Sequence, residues 1–350
     1  MLITIDEYKK FFANEYNFHF RDCSILNKDV LTFILEPELS EKQLNEEKIN
    51  GWDPELRAKG ICMLNFKKDP GKMWSCKYLT GWKEIINGSS TFPEAETINI
   101  QTTSLYPSLS KRIYILGGPI PVEETPLDPP SSTNANDNFV RGTVSKIKSI
   151  DGYAYVCGGR RSFGKRIGKN KWQSYSHLFK INNDLDDVLG FSDFDGFSSK
   201  DIYLVGGLGD VWHFNGEVSR KLSFPSNIPI YSVCCSKDGF VYVSGLNGDI
   251  FKGKENSWEK ITSANISLPI KDMVWHEGQV WCTNDYGIFS IKDNKFQREN
   301  LPNDISVSAG NMSVRHGILL VAGLGGAAFH RNGKWESIID FSKMNLLLNL

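Results

Sequence analysis

The chain has 350 residues, 40% of them hydrophobic, and a formal net charge of −1. That balance gives no whole-chain attraction for nucleic acid or an anionic membrane, and no apolar run approaches the ~18 residues a membrane-crossing helix needs. Seven cysteines, an odd and scattered set (Cys23, Cys62, Cys76, Cys157, Cys234, Cys235 and Cys282), do not make a disulfide framework, so a reducing cytoplasm is the expected location.

In chain order, residues 1–16 open with Ile5-Asp6-Glu7-Tyr8-Lys9-Lys10-Phe11-Phe12, whose spacing predicts a short helix. The N-terminus lacks a basic stretch followed by an apolar core, so no signal peptide is expected. From residue 17 to 350 the chain reads as strands and turns. Asp29–Leu35 is a strong strand, and Gly60–Phe66 with Thr80–Ile85 resembles a second and a fourth strand of a repeat. Arg112–Gly118 matches another second strand. The segment 119–138 holds five prolines among Ser, Thr and Asn, the composition of an irregular projecting loop and a candidate for partner contact. Asp151-Gly152 then opens a clearer copy through Tyr155, Gly158-Gly159 and Trp172, followed by an insertion near Asn182–Leu189.

Beyond this point the register is strict. Tyr203, Tyr242, Trp281 and Leu320 recur every 39 residues, as do Gly206, Gly245, Asn284 and Gly323. Gly239, Gly278 and Gly317 keep the same step as turn glycines. Within one period, Ile230–Cys235, Phe240–Gly245, Asp249–Gly253 and Ser257–Ile261 read as four strands joined at Asp238-Gly239, Asn247-Gly248 and a third turn. Asp-Gly and Asn-Gly between apolar runs are strong hairpin signals. A repeat of about 40 residues built from four strands cannot bury its own faces, and the closed solution is a β-propeller. The expected fold is therefore all-β, with seven four-stranded blades, six or eight being the alternatives. The terminal segments are expected to complete one blade together, removing exposed sheet edges.

The run Asp195-Gly196-Phe197-Ser198 through Asp201-Ile202-Tyr203-Leu204-Val205-Gly206-Gly207 to Gly209-Asp210-Val211-Trp212-His213-Phe214-Asn215-Gly216, with the Lys334-Trp335-Glu336 ending, resembles bacterial seven-bladed propellers of the WD40/YVTN/BNR-like group. The likeness covers about residues 145–340. It departs from WD40 repeats proper in lacking Gly-His and Trp-Asp pairs, and from sialidases in lacking their Asp-box. Among such proteins are interaction modules and cytoplasmic immunity proteins that neutralise a secreted toxin, and this is what the resemblance implies here.

Catalytic motifs are absent: no His-Glu-x-x-His, no Gly-x-Ser-x-Gly, no phosphate-binding lysine loop and no Cys-x-x-Cys. The six histidines never fall at metal-ligand spacing; His213 and His330 hold equivalent places in two repeats, and the acids Asp184–Asp187, Asp193 and Asp195 suit the first turn of a short helix better than a calcium loop. No metal or cofactor is expected. The stretch Arg160–Lys171 carries six cations in twelve residues on one hairpin. It is usually a solvated loop, yet it is able to dock an acidic protein surface. Arg160, Arg161, Lys165 and Arg166, with Trp52, Trp74 and Trp82 as exposed aromatic anchors, are the candidate partner-binding residues. The function expected is thus a non-enzymatic protein-binding scaffold, monomeric alone, whose partner is a protein such as a secreted toxin domain. The alternative is a glycan- or metabolite-acting enzyme using Asp210, Asp249 and Asp285.

Overall fold

The computed structural model describes residues 1–13, 17–38, 42, 45, 58–102, 112–116, 122–124, 127, 141–181, 190–261 and 266–348. It contains seven four-stranded antiparallel sheets, each made of strands consecutive in sequence. The fold is an all-β, seven-bladed propeller with a short N-terminal helix, α1 (Ile5–Phe11). Blade 1 comprises Asn17–Asn27, Val30–Glu38, Lys59–Asn65 and Trp74–Leu79; blade 2 comprises Ile85–Ser90, Glu96–Gln101, Ile113–Leu116 and Val122–Glu124. Blade 3 is Val144–Ile150, Tyr153–Gly158, Ser162–Gly168 and Lys171–Ser174; blade 4 is Phe191–Ser198, Asp201–Gly206, Asp210–Phe214 and Ser219–Lys221. Blade 5 is Ile230–Cys235, Val241–Gly245, Ile250–Lys254 and Ser257–Ile261. Blade 6 is Asp272–His276, Gln279–Asn284, Gly287–Lys292 and Lys295–Arg298, and blade 7 is Asn311–Arg315, Ile318–Gly323, Gly326–Arg331 and Lys334–Asp340.

The 39-residue register has a simple cause. Tyr203, Tyr242, Trp281 and Leu320 all sit in the second strand of their blades and are buried. A strand paired on both edges and covered on both faces reads as a continuous apolar run. The turn glycines Gly239, Gly278 and Gly317 adopt φ of +87°, +86° and +73°, which a side chain disfavours.

By Cα proximity the chain divides into two compact units. One is Met1–Asn87 with Asp285–Gly287 and Asn300–Leu350; the other is Gly88–Asn284 with Ile288–Glu299. The first unit holds blades 1 and 7 and a core of aromatic rings: Phe12 meets Trp74 edge-on at 5.2 Å, and Phe20 stacks with Phe341 at 5.1 Å. Within it the first strand of blade 1 lies beside the first strand of blade 7. In the second unit the first strands of blades 3, 4, 5 and 6 lie side by side in that order.

Three expectations need correction. The termini do not share a blade: Asp29–Leu35 belongs to the second strand of blade 1, and residues 334–340 form the fourth strand of blade 7. The chain then turns into helix α2 (Phe341–Leu348), which packs on α1 through a Tyr8 hydroxyl that donates to Asn345 Oδ1 at 2.7 Å. The N-terminal segment adds one backbone bond, Leu2 N–H to the Ile338 carbonyl at 2.8 Å. Second, Lys59–Asn65 and Ile113–Leu116 are third strands, and Ile85 opens blade 2 rather than ending blade 1. Buried strands read alike in sequence, so position within a blade is not encoded where turn signals are weak. Third, Asp193 and Asp195 lie on a strand, not a helix; Asp184–Asp187 and most of 119–138 fall outside the described residues.

One disulfide is present, a departure from the reading of the odd, scattered cysteines as thiols of a reducing compartment. Cys62 and Cys76 face each other directly on the third and fourth strands of blade 1, with Cα atoms 4.1 Å apart. The remaining cysteines are thiols, four of them buried and Cys235 half-buried.

Candidate protein-docking surface

Charged side chains gather where the first strands of the second unit meet. Lys146 Nζ lies 2.8 Å from Asp272, and Lys148 Nζ lies 2.8 Å from Asp193 and 3.3 Å from the Val233 carbonyl. The aspartates serve a repeated architectural purpose. Asp193 accepts the N–H of its own neighbour Phe194 (2.8 Å) and of Val233 in the next blade (3.0 Å). Asp195 does the same with Gly196 (2.9 Å) and Cys235 (2.7 Å). In the other unit Asp22 clips Cys23 (2.9 Å) and Asn87 (2.8 Å) in the same way. Each acid thus satisfies backbone donors on first strands, which have a sheet neighbour on one edge only.

The electrostatics follow from this packing. Burial opposes the charge of Lys148, but Asp193, Asp195 and Asp272 more than offset it and hold the ammonium protonated. Burial pushes the Asp195 carboxyl up to about 6, despite Lys148 and the two N–H donors. With their oxygens occupied by backbone N–H groups, these acids work as fasteners between blades.

Of the acids of the enzymatic alternative, Asp210 and Asp249 are similarly engaged. Asp210, fully buried, accepts from Arg161 (2.7 and 3.1 Å), from the Trp212 indole (3.0 Å) and lies 3.0 Å from Lys221. Asp249 pairs with Lys260 at 2.7 Å, and Asp285 is exposed. The Asp210–Lys221 and Asp249–Lys260 pairs repeat the 39-residue step, the mark of a structural element of the blade.

The basic hairpin of blade 3 divides into two sets. Arg161 and Arg166 are buried and do not present their charge to solvent. Arg166 is bidentate to Glu124 (2.6 and 2.8 Å) and reaches Glu96 (2.8 and 3.1 Å); Arg161 holds Asp210 and stacks on the Trp212 ring at 5.2 Å. One arginine fastens blade 3 to blade 2 and the other fastens it to blade 4. Arg160 is half-buried. Lys165 places its ammonium 3.7 Å above the Tyr153 ring, while Lys169 and Lys171 are exposed at the turn.

The tryptophans expected to be exposed anchors are not exposed. Trp74 is 4% and Trp82 2% accessible. The Trp74 indole donates to the Leu2 carbonyl at 2.9 Å inside the aromatic core. Trp52 lies outside the described residues. Apolar exposure arises elsewhere, at Phe92 beside the hairpin and Ile167 within it (54% and 44% accessible) and, in the other unit, at Tyr286 and Leu324 (73% and 62%). Phe92 carried no repeat or charge signal in sequence; Tyr286 and Leu324 stand two residues and one residue beyond the strand-ending Asn284 and Gly323, near but not on a shared position of the 39-residue register.

No family model matches the chain. It is 25% identical over 179 residues to the immune protein Tsi7 of Pseudomonas aeruginosa, a match covering 51% of this chain and 58% of that protein. The chain therefore spans only about 58% of the length of the curated relative it matches. Among solved structures it is similar to the WD40 β-propeller domain of Doa1, with TM-score 0.60 and 11% identity, covering 91% of this chain and 95% of that one. YCF48 bound to D1 peptide gives TM-score 0.58 and 12% identity, covering 90% and 92%. The WD40 repeats of RRP9 give 0.59 and 10%, covering 93% and 92%. At these identities the structural likenesses establish the fold alone.

Proposed function

We propose that the protein is a non-enzymatic binding scaffold that acts as an immunity protein, neutralising a cognate toxin domain by covering it. The observation that carries this reading is the 179-residue likeness to an immune protein. Two features support it. The buried acids Asp193, Asp195 and Asp210 are engaged as inter-blade clips or ion pairs, and one propeller of similar fold is a structure bound to a peptide. The location belonging to this reading is the cytoplasm, and the free protein is a monomer.

The test is protection. Bacteria expressing a candidate toxin domain, sought among the reading frames that flank the gene for this chain, should grow when the chain is co-expressed and stop growing when it is not. The two purified proteins should co-elute as one complex. Growth arrest with and without the chain, and separate elution, would refute the reading.

A further inference from the structure

Resting on that reading, we propose that the tip of the blade 3 hairpin, with the Phe92 loop beside it, docks an acidic segment of the protein partner that carries an aromatic or aliphatic anchor. The surface is contiguous. Thr91 and Phe92 both donate their N–H to the Gly152 carbonyl, at 2.7 and 3.0 Å, which fixes the loop on the turn that precedes Tyr153. The Phe92 ring lies 5.7 Å from the Tyr153 ring, and the Lys165 ammonium lies 3.7 Å from the centre of the Tyr153 ring. A Cβ at Gly168 would stand 4.0 Å from the Pro93 ring, so the hairpin tip abuts the same loop. Phe92, Tyr153 and Lys165 therefore form one contiguous patch, the two rings tilted by 31°, with Ile167 exposed on the strand that carries Lys165.

The charge of this tip is set by subtraction. Of the hairpin's cations, Arg161 and Arg166 are consumed inside the chain by Asp210, Glu96 and Glu124. Lys165 faces Tyr153 and Lys169 and Lys171 flank the turn after Gly168, while Arg160, half-buried, sits at the opposite end of the strand. An apolar anchor with cations beside it is complementary to an apolar side chain flanked by carboxylates, and its rigid aromatics lose little entropy on binding. A nucleic-acid backbone fits less well, because its phosphates bring no apolar side chain to pack on Phe92 and Ile167. Asp151 and Glu94, exposed on the same rim, weaken the pull on any anion, so the apolar anchor selects the occupant as much as charge does.

The experiment uses the full chain and a fluorescent peptide of about twelve residues bearing one phenylalanine between aspartates, with a serine-for-aspartate control peptide. Saturable binding is expected, weakened about tenfold or more, equivalent to about 1.4 kcal/mol, by Lys165→Glu/Lys169→Glu/Lys171→Glu and for the control peptide. Lys169→Glu/Lys171→Glu, both at the exposed turn, gives a second variant whose melting temperature should match the parent. No binding by the parent, equal binding by the variants, or displacement of the peptide by a short DNA duplex overturns the proposal. So does a toxin domain that binds parent and variants with the same affinity. A toxin domain that the parent does not bind at all refutes the immunity reading, while the peptide measurement still decides this surface.

Discussion

Arg166 and Glu124 form a bidentate pair in the interior, with guanidinium nitrogens 2.6 and 2.8 Å from the two carboxylate oxygens and the arginine fully inaccessible. Glu96 takes the remaining face. Burial alone would discourage the charge, but Glu124 and Glu96 more than compensate. Arg166→Met strands two carboxylates in one buried site. Losing one partner of such a group costs about 3–5 kcal/mol. Urea unfolding should show a loss of that order, and Arg166→Lys should restore part of it at most, because an ammonium cannot bridge both oxygens. An unchanged midpoint for Arg166→Met would contradict this.

Arg161 and Asp210 should be energetically coupled across blades 3 and 4. A double-mutant cycle with Arg161→Ala and Asp210→Ala should give a coupling energy of about 0.5–3 kcal/mol. The contrast is Lys221, half exposed in its pair with Asp210, whose replacement by alanine should cost within about 1 kcal/mol. Zero coupling between Arg161 and Asp210 would mean that the pair is not formed in solution.

Much of the fold was legible in sequence because its second strands are buried on both faces and its turns demand glycine. Tyr203, Tyr242, Trp281 and Leu320 advertise that constraint every 39 residues. Blades 1 and 2 were less legible. Their strands are as apolar, but without matching turn signals the order within the blade was lost, and Lys59–Asn65 was assigned to the wrong place. The candidate surface was half legible. The cations of the hairpin are plain in sequence, yet whether an arginine is exposed depends on partners 42, 49 and 70 residues away: Glu124, Asp210 and Glu96. Trp74 and Trp82 were misread for the same reason, since an aromatic outside the repeat register carries no sign of its burial.

Trp74 and Trp82 should therefore behave as core residues. Alanine at either position should lower stability by about 3–5 kcal/mol. Thermal unfolding decides the matter: a variant that melts with the parent but loses a partner would restore them as anchors.

Helix α2 closes the aromatic core of its unit by burying Phe341 and Met344. Phe341 lies 5.8 Å from Phe12 and 5.1 Å from Phe20. Removing residues 341–350 uncovers those rings and Tyr8, so the melting temperature should fall by several degrees, at about 4 °C or less per kcal/mol in a protein of this size. Binding of a hydrophobic dye should rise. A truncated protein that melts unchanged would show that α2 adds nothing to the core.

Asp195 gives a pH dependence with a definite sign. Its carboxyl is raised by burial to about 6 in the folded chain, against 3.8 for an unhindered aspartate. Between those values the folded chain holds a proton that the unfolded chain has released, so this group's contribution to stability falls as pH rises through the window. It is fully present below about pH 4 and lost above about pH 6. Asp195→Asn keeps an oxygen for the Gly196 N–H but cannot also accept from Cys235, so the variant is less stable throughout. It no longer titrates, however. The stability difference between parent and variant should consequently be larger at about pH 4.5 than at about pH 7.5. A carboxyl carbon resonance of Asp195 should titrate with its midpoint near 6. A midpoint near 4, with a difference that does not change with pH, would show that Lys148 and the two backbone donors outweigh burial at this position.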